Sequence, residues 1–276
     1  MKSYIPIAVT TGTFYPLPTL KSIQQLRALG IQDIELTLQQ HEFSLTFERK
    51  LSMPILPELE ALIQNGELCL RSVHAPMIPS ERAYNLWSRL NHLEHSIEIC
   101  SHLGAQLVVV HPFHLFRTHE DALRYLEKDR GSLSPALLPG ILDVFEQARF
   151  ANVILALENI QDWYDEVFFN APQNMLRFLE EMDHPSLKVT LDLMHAQVVG
   201  TLDTFISSLG DQIVNIHASD LLPPTKRVPI GRGVIDWHRL LPKLQALPNL
   251  RQITVELANP QSGELIESVK LLSMTP

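Results

Sequence analysis

Histidine and carboxylate side chains end several apolar runs of this sequence, and both residue types can bind a metal or transfer protons. In the stretch KVTLDLMHA, Asp192 interrupts an apolar run that His195 closes. A buried carboxylate is costly unless it is paired or binds a cation, so Asp192 indicates one of these partners. The ends of five other runs carry His74, His111, Glu158, His217 with Asp220, and Glu256.

This mixture of residue types predicts a divalent metal site. Carboxylate and imidazole ligands suit Zn²⁺, Mn²⁺, Co²⁺ or Fe²⁺, and no cysteine stands among them. Glu158, Asp192 and Glu256 would repel one another if they met without a cation. We therefore expect one or two divalent ions per chain. A lone histidine in such a run is more often a hydrogen-bonded structural residue, so the prediction depends on the run ends meeting.

Eight apolar runs of strand length alternate with eight helical patterns, and this order would bring the run ends together. The runs are rich in Val, Ile and Leu and mostly continuous, as in parallel strands covered on both faces. Such an order predicts a single-domain (β/α)8 TIM barrel, residues 1–276, in which the strand C-termini share one mouth. A doubly wound sheet is the alternative fold. In chain order the runs are IPIAVTTGTF, IQDIELTL, LCLRSVHAP, QLVVVHP, VILALENI, LKVTLDLMHA, IVNIHASD and QITVELAN.

Composition and charge limit the classes of partner. The 276 residues carry a formal net charge of −9, which disfavours nonspecific binding to nucleic acid or to a membrane surface. The two cysteines, Cys69 and Cys100, form no C-x-x-C motif and predict buried thiols in a reducing compartment. The N-terminus lacks the apolar segment of a signal peptide, and no apolar run approaches membrane-spanning length. We expect a cytoplasmic protein, and a homo-oligomer is left open.

Short motifs at the run ends add a family resemblance. In order, VHAP, VHP, ALEN, LDLMHA, IHASD, PIGRGVIDW and VEL extend across nearly the whole chain. Their order and spacing resemble the xylose isomerase-like superfamily, which contains sugar isomerases and epimerases, polyol dehydratases and apurinic-site endonucleases. The resemblance implies a metal-dependent enzyme built on the barrel fold.

The epimerase branch of this superfamily has a metal site of two glutamates, an aspartate and a histidine. The resemblance places these ligands on Glu158, Asp192, His217 and Glu256. It also implies that Glu158 and Glu256 act as acid and base on opposite faces of the substrate carbon. The resemblance also implies that His195, three residues after the aspartate, and Arg227 contact sugar oxygens. Arg227 lies in a strand-7 loop that is longer than in the epimerase branch.

The endonuclease branch binds additional metal ions through histidines of strands 3 and 4. His74 and His111 match those ligands, and Glu158 would then bridge two ions suited to attack on a phosphodiester. A third ion in that branch requires an Asp-x-His pair before the IG of the strand-7 loop. Thr225 and Arg227 stand at those positions in TKRVPIG, which argues against the full three-metal site.

Two further residues carry weaker signals for substrate binding. Glu35 ends strand 2 on the same mouth, where it could bind substrate or equally pair with a neighbouring base. Trp163, just past Glu158, could stack on a sugar face or equally pack in the core or a lid. The stretch IGRGVIDW could hold a phosphate, but a turn with Asp236 as a helix N-cap is the favoured interpretation.

The favoured function is a metal-dependent isomerase or epimerase of a small sugar, sugar phosphate or polyol. One glutamate would remove a proton next to a carbonyl, and the enediolate would be reprotonated on the same or the opposite face. Dehydration begins with the same proton abstraction and is a neighbouring reaction. A two-metal phosphodiesterase or endonuclease-like hydrolase is the alternative, and a non-catalytic ligand-binding barrel is a third hypothesis. The expected partner is a small sugar or phosphorylated molecule rather than nucleic acid.

Overall fold

Eight parallel strands close into a barrel, which confirms the predicted (β/α)8 TIM barrel. The computed structural model describes residues 4–39, 44–45, 51–76, 86–111, 114–116, 137, 139–160 and 169–273. The strands are Ile7–Thr10 (β1), Asp33–Thr37 (β2), Cys69–His74 (β3), Leu107–Val110 (β4), Ile154–Glu158 (β5), Leu187–Asp192 (β6), Ile213–Ala218 (β7) and Gln252–Val255 (β8). The hydrogen-bonded order is β1-β8-β7-β6-β5-β4-β3-β2, and β2 pairs again with β1.

Helices connect successive strands, as the sequence pattern predicts. Gly140 has a positive φ of 87° directly before the helix Ile141–Phe150. Asp236 accepts the Arg239 backbone N–H and so caps its helix, as predicted. A short helix directly after β6 is not apparent from the sequence pattern. The helices are Thr19–Ala28 (α1), Leu56–Gln64 (α2), Leu86–His102 (α3), Ile141–Phe150 (α4), Pro172–Met182 (α5), Leu193–Val198 (α6), Leu202–Leu209 (α7), Trp237–Ala246 (α8) and Ser262–Ser273 (α9).

Side chains that alternate along each strand separate the two faces of the barrel wall. Val110 of β4 belongs to the large apolar core, which contains residues of both strands and helices. Val109 of the same strand belongs to a separate, smaller apolar cluster together with Ala156 of β5. Two residues further along, the same alternation reaches His111 and Glu158. This face of the wall therefore changes from apolar to polar toward the C-terminal ends of the strands.

Two antiparallel hairpins lie in loops after strands, at places where apolar periodicity indicates no strand. Ser44–Leu45 pairs with Leu51–Ser52 in the long loop after β2. Asp220–Leu222 pairs with Lys226–Val228 after β7, and Arg227 lies on the second strand of this hairpin. Most of the long loop after β4 falls outside the described residues. The hairpin after β7 matters for the site because it returns the chain, with Arg227, to the barrel mouth.

The helices and thiols of the structure bear on the predictions drawn from composition. In the described part of the chain, every helix is too short or too polar to cross a lipid bilayer. Cys69 and Cys100 are both free, but only Cys100 is buried, so the predicted burial holds for one of the two. Burial raises the pKa of the Cys100 thiol to about 12, which makes it unreactive at neutral pH.

Candidate metal centre and active site

Four of the predicted ligands meet at the C-terminal mouth of the barrel. Each offers one ligand atom, and these atoms lie within 4.8 Å of one another in the cluster of Glu158, Asp192, His217 and Glu256. His217 Nδ1 lies 3.0 Å from Glu158 Oε1 and 3.2 Å from Glu256 Oε2. Glu158 and His217 are buried, whereas the Glu256 side chain is 28% exposed. The four-residue cluster therefore opens to solvent on its Glu256 side.

A second group of candidate ligands shares Glu158. Glu158 Oε2 lies 3.0 Å from His111 Nε2 and 3.4 Å from His74 Nε2. The other ring nitrogen of His74, Nδ1, donates to the Ala75 carbonyl at 2.7 Å, which leaves Nε2 facing Glu158. Each carboxylate oxygen of Glu158 therefore faces different histidines: Oε1 faces His217, and Oε2 faces His74 and His111.

Asp192 is fully buried and has partners within the protein. Its Oδ1 accepts the His195 backbone N–H at 2.8 Å and caps helix α6, while its Oδ2 accepts from Arg227 at 2.9 Å. Asn159 accepts the Asp192 backbone N–H at 2.7 Å and donates to the Asp192 carbonyl at 3.0 Å. A helix cap and a guanidinium thus already compensate the burial of Asp192, and a bound cation would share Oδ2 with Arg227.

Arg227 joins the four-residue cluster to the predicted sugar-binding side chains. Its Nη1 donates to Glu256 Oε2 at 3.0 Å and to Ser219 Oγ at 2.9 Å. Its Nη2 donates to His195 Nε2 at 3.2 Å, and His195 Nδ1 donates to the Asn159 carbonyl at 3.0 Å. Arg227 and His195, the two residues predicted to contact sugar oxygens, therefore lie beside the cluster. Sequence patterns did not indicate Asn159 or Ser219.

Asp220, the last residue of the strand-7 motif, does not join the cluster. Its carboxylate instead holds the loop that carries Arg227. Its carboxylate accepts four N–H groups at 2.8 to 3.0 Å, from the backbones of Leu221, Gly231 and Ile235 and from the Trp237 indole. A side chain at Gly233 would place its Cβ only 2.3 Å from Asp220 Oδ1, so this close approach requires glycine. Asp220 therefore anchors a loop, whereas the carboxylates of Glu158, Asp192 and Glu256 converge on the cluster.

The structure does not show Glu35 or Trp163, two further predicted substrate contacts, at the open side of the cluster. Glu35 is fully buried, accepts from Ser72 Oγ at 2.8 Å and lies 3.3 Å from His217 Nε2. Of the two roles considered for Glu35, pairing with a neighbouring base matches this arrangement, and substrate binding stays a prediction. Trp163 lies outside the described residues.

Burial and neighbouring charges set the protonation of the cluster. Burial by itself would raise the pKa of Glu158, but the charges of His217 and His111 hold that pKa well below its ordinary value of 4.5. Burial would also raise the pKa of Glu256, and there Arg227 and His217 prevail and lower it. Burial lowers the pKa of His217, whereas the surrounding glutamates raise it well above 6.5. Without a metal, both glutamates are ionised and His217 is protonated at neutral pH.

The donor set of the cluster fits a divalent metal ion. Three carboxylates and one imidazole offer oxygen and nitrogen atoms, which Zn²⁺, Mn²⁺, Co²⁺ and Fe²⁺ all accept. His217 must lose its proton to become a ligand, so the affinity for metal should increase with pH. The neighbouring group of His74, His111 and Glu158 offers ligands for a further ion.

Comparison with known proteins identifies the family of this chain. The family model of the xylose isomerase-like TIM barrel matches residues 23–273, and the chain belongs to this family. A protein of Mycobacterium leprae, described as uncharacterized, is 26% identical over 255 residues. The matched region covers 84% of this chain and 81% of that protein, so the similarity extends over most of both.

Two solved structures share the fold at lower sequence identity. A D-tagatose 3-epimerase-like protein has a TM-score of 0.74 at 20% identity, over 97% of this chain and 96% of that chain. An AP endonuclease of family 2 from Brucella melitensis has a TM-score of 0.69 at 12% identity, over 95% and 97% respectively. At these identities the similarity establishes the barrel fold rather than a particular reaction.

Proposed function

We propose that this chain is a metal-dependent isomerase or epimerase of a small sugar, sugar phosphate or polyol. The observation that carries the proposal is the cluster at the barrel mouth, in which Glu158 and Glu256 both contact His217. Arg227 and His195 lie beside this cluster and supply polar groups for substrate oxygens. The similarity of the fold to that of an epimerase-like protein supports the same class of reaction.

Glu256 is the better placed of the two glutamates to begin the reaction. Its side chain is part-exposed, and its lowered pKa keeps it ionised, so it can take a proton from a carbon next to a carbonyl. A divalent ion held by the four-residue cluster would polarise that carbonyl. Glu158 is ionised at rest, so it would relay a proton taken up from solvent to the opposite face of the carbon, which gives the epimer, and Glu256 would release its proton to solvent. Return of a proton to the neighbouring carbon would give the isomer.

Arg227 has the geometry to couple substrate binding to the activity of Glu256. In the structure Arg227 donates to Glu256 Oε2 at 3.0 Å, which reduces the availability of that oxygen as a base. A substrate oxygen that takes up the Arg227 N–H groups would free Glu256 to accept the proton. The guanidinium and His195 would then stabilise negative charge that develops on the substrate oxygen.

Exchange of solvent deuterium tests this function. The metal-loaded protein is incubated in D2O with a panel of ketoses and ketose phosphates, and the sugars are examined by NMR. We expect deuterium at a carbon next to the carbonyl, lost in Glu256→Gln and retained in Glu267→Gln. Glu267 is a matched control because it is exposed and pairs with Arg232 on the surface. Absence of exchange with every sugar and with each of the four metals would contradict the proposal.

A two-metal phosphodiesterase is the second candidate, and a specific observation favours it. His74, His111 and Glu158 form a second group of ligands, and Glu158 is shared with the first. Ions held by these two groups would supply the activated water and the charge neutralisation that phosphodiester hydrolysis requires. The net charge of −9 favours a small phosphodiester over nucleic acid. Metal-dependent cleavage of bis(p-nitrophenyl) phosphate, without deuterium exchange into sugars, would favour this function over the first.

A further inference from the structure

We propose that Glu35 is a positioning residue for His217, an inference that rests on the metal site proposed above. His217 is fully buried, and its two ring nitrogens face different carboxylates. Nδ1 lies 3.0 Å from Glu158 Oε1 in the four-residue cluster. Nε2 lies 3.2 Å from Glu35 Oε1 and 3.3 Å from Glu35 Oε2. A carboxylate from β2 therefore faces the imidazole on the side away from Glu158.

The position of the imidazole proton decides which nitrogen of His217 can bind a metal. A neutral imidazole carries one N–H group, and only its other nitrogen has a lone pair for a cation. Glu35 accepts the N–H at Nε2 and so selects the tautomer whose Nδ1 lone pair faces Glu158. A carboxylate bonded in this way to a metal-binding histidine fixes the ring orientation and strengthens the ligand.

A buried hydrogen-bonded layer holds Glu35 against His217. Ser72 donates to Glu35 Oε2 at 2.8 Å, and Gln252 donates to Ser72 Oγ at 2.7 Å. Gln252 lies on β8 and also donates to Thr254 Oγ1 of the same strand at 3.1 Å. Glu35 cannot rotate away from His217 without breaking the bond from Ser72. Because Glu35 faces Nε2 and belongs to neither group of candidate ligands in the described residues, it acts on the metal through the imidazole and not by direct contact.

The metal affinity of Glu35→Gln tests the inference. Glutamine keeps the size of the side chain but removes its charge, so it holds the Nε2 N–H less strongly. We expect the Kd for Mn²⁺ or Zn²⁺, measured by competition with a chelator, to increase about 10- to 100-fold at unchanged stoichiometry. Thr254→Val is the matched control because it alters the same buried layer at a side chain bonded to Gln252 and Asn215. For this control we expect lower thermal stability and the wild-type Kd.

Each outcome separates the inference from the proposed function. A wild-type Kd in folded Glu35→Gln would overturn the positioning role and leave the metal site intact. Failure of the wild-type chain to bind either ion would instead overturn the proposed function. If Glu35→Gln does not fold, two-bond ¹⁵N–¹H spectra of the metal-loaded wild type, assigned with His217→Gln, supply the test. The Nε2–H tautomer of His217 is expected, and the Nδ1–H tautomer would overturn the inference.

Discussion

Arg227 donates to Asp192 Oδ2 at 2.9 Å, although the two residues lie 35 positions apart in the chain. Its other terminal nitrogen donates to Glu256 Oε2 at 3.0 Å, so one guanidinium joins carboxylates at the ends of β6 and β8. Burial would lower the pKa of Arg227, but Asp192 and Glu256 raise it above its ordinary value. Arg227 is therefore a permanent cation within a cluster of carboxylates.

Replacing Arg227 with Met should destabilise the metal-free protein more than the metal-loaded protein. Removing one partner of a buried ion pair costs about 3–5 kcal/mol, because the remaining charge is left uncompensated. A bound metal ion would supply that compensation. Urea unfolding with and without Mn²⁺ measures both free energies of unfolding.

Arg232→Met is the control for this variant. The Arg232 side chain is 62% exposed and pairs with Glu267, so its loss should change the free energy of unfolding by about 1 kcal/mol or less. The Arg227 side chain, by contrast, is 16% exposed. Equal effects of the two substitutions on the metal-free protein would contradict the role given to Arg227.

Glu158→Gln and Glu256→Gln should each abolish turnover and weaken metal binding. Each substitution removes a charged ligand and a proton-transfer group, and proton transfer alone typically contributes about 10²- to 10⁴-fold in rate. Deuterium exchange measures turnover, and competition with a chelator measures the Kd for the metal. The exposed Glu267→Gln should behave as wild type. If both site variants keep full activity, the assignment of the acid and base is wrong.

His74→Ala and His111→Ala should each lower the metal content by one ion per chain if the site is dinuclear. Both histidines face Glu158 Oε2, so the loss of either removes a ligand of the second ion. The four-residue cluster stays unchanged. Elemental analysis after metal loading and dialysis measures the stoichiometry. His102→Ala is the control, since His102 is 53% exposed and pairs with Glu60. Unchanged content in both site variants would exclude the two-metal function.

The metal-free protein should lose stability both in acid and at alkaline pH. The lowered pKa values of Glu158 and Glu256 contribute stability that is present above 4.5 and is lost as pH falls. The raised pKa of His217 contributes stability that is present below 6.5 and is lost as pH rises through the folded-state pKa. Thermal unfolding of metal-free protein across a pH series should therefore show Tm falling in acid, where the buried His111 with its lowered pKa must also take up a proton, and falling again as pH rises through the folded-state pKa of His217. A maximum at alkaline pH would contradict the protonation given to His217.

Asp220→Asn should destabilise the protein and raise the substrate KM through displacement of Arg227. The carboxylate accepts hydrogen bonds from several N–H groups, including the Trp237 indole. The NH2 group of asparagine would face some of these donors and could accept from none of them. A buried polar group left unpaired costs about 1–3 kcal/mol. Asp236→Asn is the matched control, because Asp236 is an exposed helix N-cap and asparagine caps equally well. Equal Tm values for the two variants would show that the loop does not depend on Asp220.

The barrel strands were predictable, whereas the partners of the strand-end residues were not. Strands buried on both faces leave continuous apolar runs, such as the one before His111. Asp192 indicates a cation from its own sequence, but its partner Arg227 lies on a hairpin that apolar periodicity does not reveal. Asn159 reaches Asp192 because β5 and β6 are neighbours in the barrel, a relationship that only the closed sheet establishes.

The solvent exposure of individual polar side chains was also not predictable from the sequence. Glu35, predicted to end the second strand, lies in the middle of β2 and is fully buried, whereas Glu256 directly follows β8 and its side chain is 28% exposed. The apolar run of β2 does not reveal how far the strand continues past Glu35. His114, in the loop after β4, is fully buried with Nε2 at 3.1 Å from the Pro76 carbonyl. Such burial depends on contacts between distant segments.

Val9 of β1 pairs with Ile34 of β2 on one side and with Val255 of β8 on the other. This seam joins the first and last parts of the chain, and the residues next to its two partners are Glu35 and Glu256. Glu35 of β2 faces His217 of β7 with β1 and β8 between them, so this contact across the seam depends on the complete ring. An ion that binds only the closed ring would stabilise it by RT ln(1 + [L]/Kd). Ring closure and ion binding are thereby linked: weakening the β1 seam would lower affinity at the mouth, and an ion at the mouth would protect the seam.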